Sequence, residues 1–206
     1  MPKPGVKTSV DQLAGLVLAL KALTDTRLLV GIPRETTDRH DGEEKRPFTN
    51  AEIGYVMEFG DAAGKIPPRP HLYPTVRANR AEIVKRLKLA GQYALAGQPK
   101  KVLEVHEALG LYLQAEVRKR IRAGIPPPLA ESTVRGRIAR RKSKTWRAKR
   151  TAQVETNLAA GAAPGEGLFT PLIDTANYLG AITYVVRSKL TGQDRSVGPR
   201  AAAHKS

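Results

Sequence analysis

Hydrophobic residues near the start of the chain recur at helical spacing and then give way to a short β-rich run. Ser9 and Gln12 have the spacing of a capping box, which predicts that a helix begins there. The apolar residues that follow on one helical face are Leu13, Leu16, Val17, Leu20 and Leu23. Residues 27–32 (RLLVGI) combine large apolar and β-branched side chains and stop at Pro33. The pattern predicts an amphipathic helix followed by a strand.

The next apolar pattern begins after a polar stretch, residues 33–47, which predicts a long loop or hairpin tip. Thr49 and Glu52 form a second capping box, and Gly60 is expected to end the short helix that it opens. Several prolines follow. Because proline lacks a backbone N–H and restricts the residue before it, they predict an extended path. These prolines are Pro67, Pro68, Pro70 and Pro74.

Two longer helices and a final strand complete the pattern. Apolar residues at helical spacing run over residues 77–96, where Gly97 ends them, and again over residues 102–121. Residues 176–181 predict a helical turn and residues 182–187 a strand. Long helices with a few short strands predict an α+β fold, in which a small antiparallel sheet packs against several amphipathic helices.

One segment departs from this pattern because it is strongly basic. The chain has 35 Lys and Arg against 19 Asp and Glu, a net charge of +16, and residues 135–150 contain no acidic residue. Val134 and Ile138 support one short helix at most, and residues 142–167 have the polar, Ala/Gly-rich composition of a mobile linker. The sequence therefore predicts a long basic loop or arm. The predicted organisation is a single α+β domain of residues 1–128 and 168–190, a basic arm at 129–167 and a disordered tail at 191–206.

Composition also limits where the protein is expected to be found. The absence of cysteine excludes a disulfide scaffold and a thiolate metal site, and it fits a reducing cytoplasm. The first residues lack the apolar core of a signal peptide, and no apolar run approaches the roughly 18 residues that a membrane span requires. We expect a soluble protein that is neither exported nor bound to a membrane.

Residue types that carry catalysis or bind metals are scattered. The histidines are His40, His71, His106 and His204. Only His40 has close carboxylates, but its loop lacks the alternating ligand spacing of a calcium site and carries basic neighbours, so a solvated loop is expected. His106 is expected at the surface of its helix or at a boundary. With no nucleophile elbow and no phosphate-cradling glycine loop, the sequence predicts no catalytic site, no metal site and no cofactor.

Three segments, NAEIGYVMEFG (residues 50–60), IPPRPHLYPT (residues 66–75) and PLIDT (residues 171–175), stand in this order along the chain. Together they resemble the tail-completion and neck proteins that join head to tail in bacteriophages. Residues 50–60 (NAEIGYVMEFG) are similar to the family's Met-Glu-Phe-Gly helix, and residues 66–75 (IPPRPHLYPT) to its Ile-Pro-Pro-Arg-Pro segment. Residues 171–175 (PLIDT) are similar to its Pro-Leu-Ile-Asp-Thr segment, and the three occur in the family's order. His71 is a departure, because the family usually has an aromatic residue there.

The resemblance implies an α+β virion protein that forms a homo-oligomeric, hexameric ring and has no catalytic residues. Such a ring completes or terminates the tail and joins it to the head connector, with other phage neck and tail proteins as partners. The protein would be made in the cytoplasm of the bacterial host and built into the virion. The candidate subunit-interface residues are Glu58, Phe59, Gly60, Pro67, Pro68, Arg69, Pro70, Leu72, Leu172 and Asp174.

The matching segments also have a physical interpretation that does not depend on the family. Phe59 is predicted to bury its ring, Gly60 to cap the helix, and Glu58 to pair locally with Arg69. The prolines pre-set an extended backbone, which gives a rigid arm suited to a subunit contact. Alternatively, the same residues form a well-specified turn inside one subunit, and both interpretations can hold together.

The basic segment has two interpretations. In the first, the segment contacts a polyanion, which is either DNA held without sequence specificity in a ring lumen or an acidic neighbouring ring. In the second, it is a solvated arm that orders only on assembly. Trp146 favours a contact, because an exposed tryptophan is unusual without a partner. The contact candidates are Arg135, Arg137, Arg140, Arg141, Lys142, Lys144, Trp146, Arg147, Lys149 and Arg150.

Two classes of function therefore stay open from the sequence. The first is a structural ring protein of the phage neck or tail junction. The second is a freestanding basic nucleic-acid-binding protein, which the charge alone permits. No zinc-finger, zipper or helix-turn-helix pattern supports sequence-specific recognition. An assembly protein is expected to bury residues 66–74 between subunits, and this placement separates the two classes.

Overall fold

Most elements are helices in a computed structural model that describes residues 6–33, 49–174 and 177–199, with the backbone alone for 6–12, 19 and 22. The elements are α1 (Val6–Thr24), β1 (Thr26–Gly31), α2 (Asn50–Phe59), α3 (Tyr73–Ala78), α4 (Arg80–Leu95), α5 (Pro99–Arg122), α6 (Glu131–Ala139), α7 (Lys144–Ala159), α8 (Asn177–Ala181), β2 (Thr183–Ser188) and β3 (Asp194–Val197). Within these residues, helices and a small antiparallel sheet form an α+β fold, which confirms the predicted class.

The three strands form one antiparallel sheet in the order β1-β2-β3. β2 is buried along almost its whole length and pairs with β1 in a register that places Val186 opposite Leu28. β3 lies within the segment 191–206 that the sequence predicts to be disordered, so that prediction is wrong for these four residues. It fails because β3 has no apolar alternation; backbone pairing and the 2.6 Å ion pair between Arg187 and Asp194 hold it at the sheet edge.

The chain divides into two compact units. The first unit contains residues Met1–Pro33, Tyr73–Glu116 and Ile182–Arg200. The second unit contains residues Arg34–Leu72, Val117–Ala181 and Ala201–Ser206. The predicted domain boundaries followed composition along the chain, whereas each unit is assembled from segments that are distant in sequence.

The first unit has its core where α1, α4 and α5 meet. Buried Ala90, Ala94 and Val102 pack against Leu23 of α1, and these small side chains allow close helix packing. His106 on α5 is almost fully buried, within 3.2 Å of the Thr26 hydroxyl, and burial lowers the pKa of His106. The prediction of a surface or boundary histidine is therefore wrong. An imidazole with a buried hydroxyl partner fits a core position that the sequence pattern alone does not reveal.

Two helix boundaries differ from those that the sequence predicts. α1 begins at Val6, so Ser9 lies inside the helix and does not cap it. Pro74 lies in α3 and not on an extended path. A proline in the first turn of a helix has no intrahelical hydrogen bond to lose, and its fixed φ suits that position.

The second unit contains the largest departure from the sequence analysis. The predicted mobile linker at residues 142–167 is wrong, because α7 occupies Lys144–Ala159 and Ser143 caps it by accepting a hydrogen bond from the Trp146 N–H. The buried cluster that orders this region consists of Leu129, Val134, Ile138 and Val154, with Trp146, Leu158, Leu168 and Phe169 packed partly against it. Few apolar residues suffice here because they come together from α6, α7 and the turn after α7.

Some predictions fall on residues that the structure does not describe. The polar stretch at 33–47 lies outside the described residues except for Pro33, and so does the loop around His40. Among the described residues, no three His, Asp or Glu side chains lie close enough together to hold a metal ion. None of the helices in these ranges has both the length and the apolar character needed to cross a lipid bilayer.

Replacing Gly110 with alanine is expected to destabilise the protein by about 1–3 kcal/mol, because the new methyl group would overlap the buried Tyr184 ring and press on Leu28. Gly91→Ala in α4 is the matched control, since nothing lies within 4 Å of its added Cβ. Losing a glycine from a helix there is expected to stabilise the protein by about 0.5–1 kcal/mol. Urea unfolding measures both changes. Equal midpoints for Gly110→Ala and the unaltered protein would contradict the close contact with Tyr184.

Candidate functional site

The end of α2 and the proline segment after it are bonded to each other within the second unit. α2 has both hydrogen bonds of the predicted capping box, and that contact lowers the pKa of Glu52. Gly60 ends the helix with φ +81°, where its missing Cβ leaves room for the Ile66 carbonyl and the Pro68 ring. The Arg69 N–H then donates to the Met57 carbonyl at 2.6 Å. The end of the first matching segment and the start of the second are therefore held together by backbone contacts.

Glu58 is a buried carboxylate that fixes the path of the proline segment. Its Oε2 accepts hydrogen bonds from the backbone N–H groups of His71 at 2.7 Å and Leu72 at 3.0 Å. Arg69 is also buried, and its guanidinium donates to the carbonyl oxygens of Pro127 and Pro128, both at 2.9 Å. The sequence predicted that Glu58 pairs with Arg69. In the structure each of them instead forms hydrogen bonds with backbone groups. These bonds compensate for burying the two charges, and Glu58 and Arg69 do not form an ion pair with each other.

His71 joins Glu58 to Tyr178 through a fully buried imidazole. Its Nδ1 lies 3.2 Å from Glu58 Oε2 and 3.1 Å from the Arg69 carbonyl, and its Nε2 lies 2.5 Å from the Tyr178 hydroxyl. Burial lowers the pKa of His71, although the Arg69 carbonyl and Glu58 oppose the shift; burial also raises the pKa of Tyr178. A neutral imidazole can donate from Nδ1 and accept the Tyr178 proton at Nε2. With no exposed surface, this ring holds the fold together and does not face a solvent-borne substrate.

Residues 171–174 of the third matching segment are bonded to the end of α6. Leu172 has φ +67°, an uncommon backbone conformation for a residue other than glycine. Next to it, the Ile173 carbonyl accepts a 2.7 Å hydrogen bond from Arg137, and Asp174 forms a 2.7 Å ion pair with Arg140. Arg137 is buried and lies over the Phe169 ring, and burial lowers its pKa. Arg137 and Arg140 therefore bind inside the second unit.

The predicted polyanion contacts divide into two groups. Arg135 joins Arg137 and Arg140 in the internal group, because it pairs with Glu131 and Glu155, each at 2.7 Å. For these three residues the predicted role as free contacts is not supported by their geometry. The remaining six basic residues make no ion pair with any residue that the structure describes. They are Arg141, Lys142, Lys144, Arg147, Lys149 and Arg150, and we call them the basic surface.

Trp146 is not the exposed side chain that the sequence predicts. It is half-buried, and its ring meets Phe169 edge-on with 6.5 Å between centroids. The guanidinium groups of Arg141 and Arg150 lie over it, 5.8 and 5.6 Å from its centroid. Trp146 therefore anchors α7 in the core and holds two cations at the surface.

The predicted subunit-interface residues are mostly not on the surface. Glu58 and Arg69 are buried, and Gly60, Pro67, Pro70, Leu72 and Leu172 are half-buried. Phe59 is the opposite case: its ring is 68% exposed beside Tyr55, 5.0 Å away, so the prediction that it is buried is wrong. Gly54 and Glu58 lie on the buried side of α2, so the adjacent Phe59 points away from that side. The remaining candidates, Pro68 and Asp174, are exposed.

Exposed apolar residues occur instead on α1, where the sequence predicts a core face. Leu13, Val17 and Leu20 stand at i, i+4 and i+7 and are 60%, 44% and 39% exposed; we call them the α1 stripe. α1 meets Gly97 through Gly15, on a different side of the helix. From Leu13 to Leu20 the helix has no charged residue. The lack of charge in these residues was the sequence feature that could have indicated an exposed apolar surface, because a surface helix normally has a charged face.

No protein-family model, curated protein or solved structure matches this chain. Its functional assignment therefore depends on the resemblance of the three segments and on the surfaces described above.

Replacing Glu58 with alanine is expected to destabilise the protein by about 3 kcal/mol, because the N–H groups of His71 and Leu72 lose their acceptor. Phe59→Ser, one residue away, is the control; it changes an exposed ring and should shift stability by less than about 0.5 kcal/mol. Thermal and urea unfolding of both variants check the contrast. A larger loss for Phe59→Ser than for Glu58→Ala would show that the buried carboxylate does not organise this segment.

Stability is expected to fall as the pH drops below the ordinary histidine pKa of about 6.5, because unfolded His71 takes up a proton that folded His71 resists. Its pKa is lower in the folded state, so the unfolded state binds more protons and stability rises with pH in this window. The free energy of unfolding changes by at most about 1.4 kcal/mol per pH unit for each such histidine. His71→Gln should reduce the slope in urea unfolding between pH 7.5 and 5.5, and His106 accounts for part of the remainder. Identical slopes for both proteins would exclude His71 as a source.

Proposed function

We propose that this chain is a structural protein of the phage virion, whose subunits form a homo-oligomeric ring at the neck or tail junction. The ring completes the tail and joins it to the head connector. Two lines support the proposal: the three segments that resemble tail-completion proteins, and exposed apolar surface on the first unit. The second line carries the argument, because it is geometric and independent of the resemblance.

The α1 stripe is the first of two apolar surfaces on the first unit. Monomeric proteins rarely expose contiguous apolar patches, and a helix that is apolar on several sides is normally buried. Leu18, on another side of α1, is also 59% exposed. Copies of a chain with net charge +16 repel one another, so a stretch of helix without charge, residues 13–20, is a favourable place for them to meet.

The second surface is an open groove between α4 and α5. Val84 and Leu89 on its wall are 42% and 40% exposed, although they are apolar. Arg86 crosses from α4 to α5, where it donates to the Ala108 carbonyl at 3.0 Å and keeps the groove in shape. The groove is lined by apolar Ala81, Val84, Leu89 and Val105 together with charged Glu82, Lys85, Arg86 and Lys88.

Two different apolar surfaces suit a ring better than a simple dimer. A two-fold dimer joins one surface to itself, whereas a closed ring of more subunits joins one surface to a different surface on the next copy. We propose that the α1 stripe of one subunit packs into the α4–α5 groove of its neighbour. The three matching segments then have a supporting role, because their polar groups are bonded within the second unit. No catalytic step is part of this proposal.

Charged substitutions on the two surfaces test the ring. Leu13→Glu with Val17→Glu, and separately Val84→Glu with Leu89→Glu, should each convert the oligomer to monomers in light scattering after gel filtration. Leu95→Glu with Leu190→Glu is the control, since these leucines are 71% and 77% exposed and lie outside both surfaces. Unfolding curves establish that all variants fold.

A mixture of the two interface variants gives the sharper result. Each variant retains the surface that the other has lost, so the mixture should form dimers and no larger species. Rings from either variant alone would contradict the proposed pairing of surfaces.

The place in the virion is tested by immunogold labelling of particles. A mutant phage without the protein should accumulate separate heads and tails, and normal infectious particles in that mutant would sink the proposed function.

A further inference from the structure

We propose that the basic surface, which lies on α7 and on the turn before it, binds the phosphate backbone of duplex DNA without reading its sequence. The proposal goes beyond ring assembly and does not require it, because every residue involved belongs to the second unit of a single chain. It depends on four features of the described residues. Among these residues, six basic side chains have no carboxylate partner, a folded scaffold holds them, cations lie close together at the start of α7, and no exposed apolar surface lies nearby.

The charge on this surface is available to a ligand. Of the nine basic residues from 135 to 150, Arg135, Arg137 and Arg140 are engaged with carboxylates or carbonyls of the second unit. The other six have no carboxylate partner among the residues that the structure describes, and four of them are exposed. The exposed four are Arg141, Lys142, Lys144 and Lys149.

The basic surface is held by a folded scaffold. Ser143 caps the start of α7, Val154 is completely buried, and Trp146 packs on Phe169. A solvated arm would lose much conformational entropy when it bound a ligand, whereas side chains on an anchored helix lose less. The alternative of a flexible, repelling arm therefore does not fit the fold.

Cations are also crowded at the start of α7. Arg141 and Arg150 lie over the same Trp146 ring, each within 6 Å of its centroid. The first turn of α7 contains no acidic residue, and it begins with Lys144 at the positive end of the helix dipole. These charges repel one another in the free protein, and a polyanion laid across them relieves the repulsion.

The surroundings favour nucleic acid over an acidic protein. Among the described residues, no large hydrophobic side chain between Leu111 and Leu190 is highly exposed. Stable protein interfaces normally have an apolar or aromatic centre, and this surface has none because Trp146 is partly buried. Contacts to phosphate need only charge and hydrogen-bond donors, and guanidinium groups match phosphate geometry.

The test measures binding of the full-length protein to a fluorescein-labelled 30-base-pair duplex of arbitrary sequence by anisotropy. Between 50 and 200 mM NaCl, six phosphate contacts give a log–log slope of about −5. Lys142→Gln, Lys144→Gln and Lys149→Gln together should reduce the slope to about −3 and weaken binding roughly a hundredfold at 100 mM salt. These lysines are exposed and outside the buried cluster, so the variant is expected to keep its unfolding midpoint.

The matched control removes the same charge from elsewhere. Lys65→Gln, Lys100→Gln and Lys189→Gln alter three exposed lysines outside the basic surface and should leave binding almost unchanged. Equal loss in the two triple variants would assign binding to net charge and overturn the proposed site. Polyglutamate displacing the duplex at an equal or lower concentration of charge would show a preference for acidic protein, which also overturns it. The α1 stripe variant should bind DNA normally, so failure of the ring and failure of this site are distinguishable.

Discussion

The buried carboxylate of Glu58 is the constraint on which much of the second unit depends. A charge removed from water must find donors, and Glu58 finds them in two successive backbone N–H groups, those of His71 and Leu72. These bonds hold the proline segment against α2 and bring His71 to the Tyr178 hydroxyl. Helices α2 and α8, which lie next to each other, are therefore connected through these polar groups.

Much of the basic character of the chain has a structural use. Arg69 and Arg137 are buried, and their guanidinium groups donate to backbone carbonyls of turns that have no regular hydrogen-bond partners. Arg135 is exposed but paired with two glutamates. A net charge of +16 thus overstates the charge available to a ligand, and the position of each cation matters more than the total.

Local signals in the sequence predicted local structure well. The capping box at Thr49 and the terminal Gly60 gave α2 correctly, because both act within one turn of the helix. α7 was missed because Val154 and Leu158 are among the few large apolar residues in a polar sequence, and only partners from other segments make them a core. Phe59 and Leu13 were assigned to the interior for the converse reason: hydrophobicity shows that a side chain favours burial, but not whether this chain itself supplies the cover.

The imidazole at position 71 has a consequence for how the sequence can change over time. Its two nitrogens serve Tyr178 on one side and the Glu58–Arg69 neighbourhood on the other. A phenylalanine at position 71 would leave the buried Tyr178 hydroxyl without its acceptor, and a phenylalanine at position 178 would leave Nε2 without its donor. Either change alone is costly, whereas both together restore an apolar pair. We therefore expect positions 71 and 178 to change together, so that their joint state records which of two packing solutions a lineage has adopted.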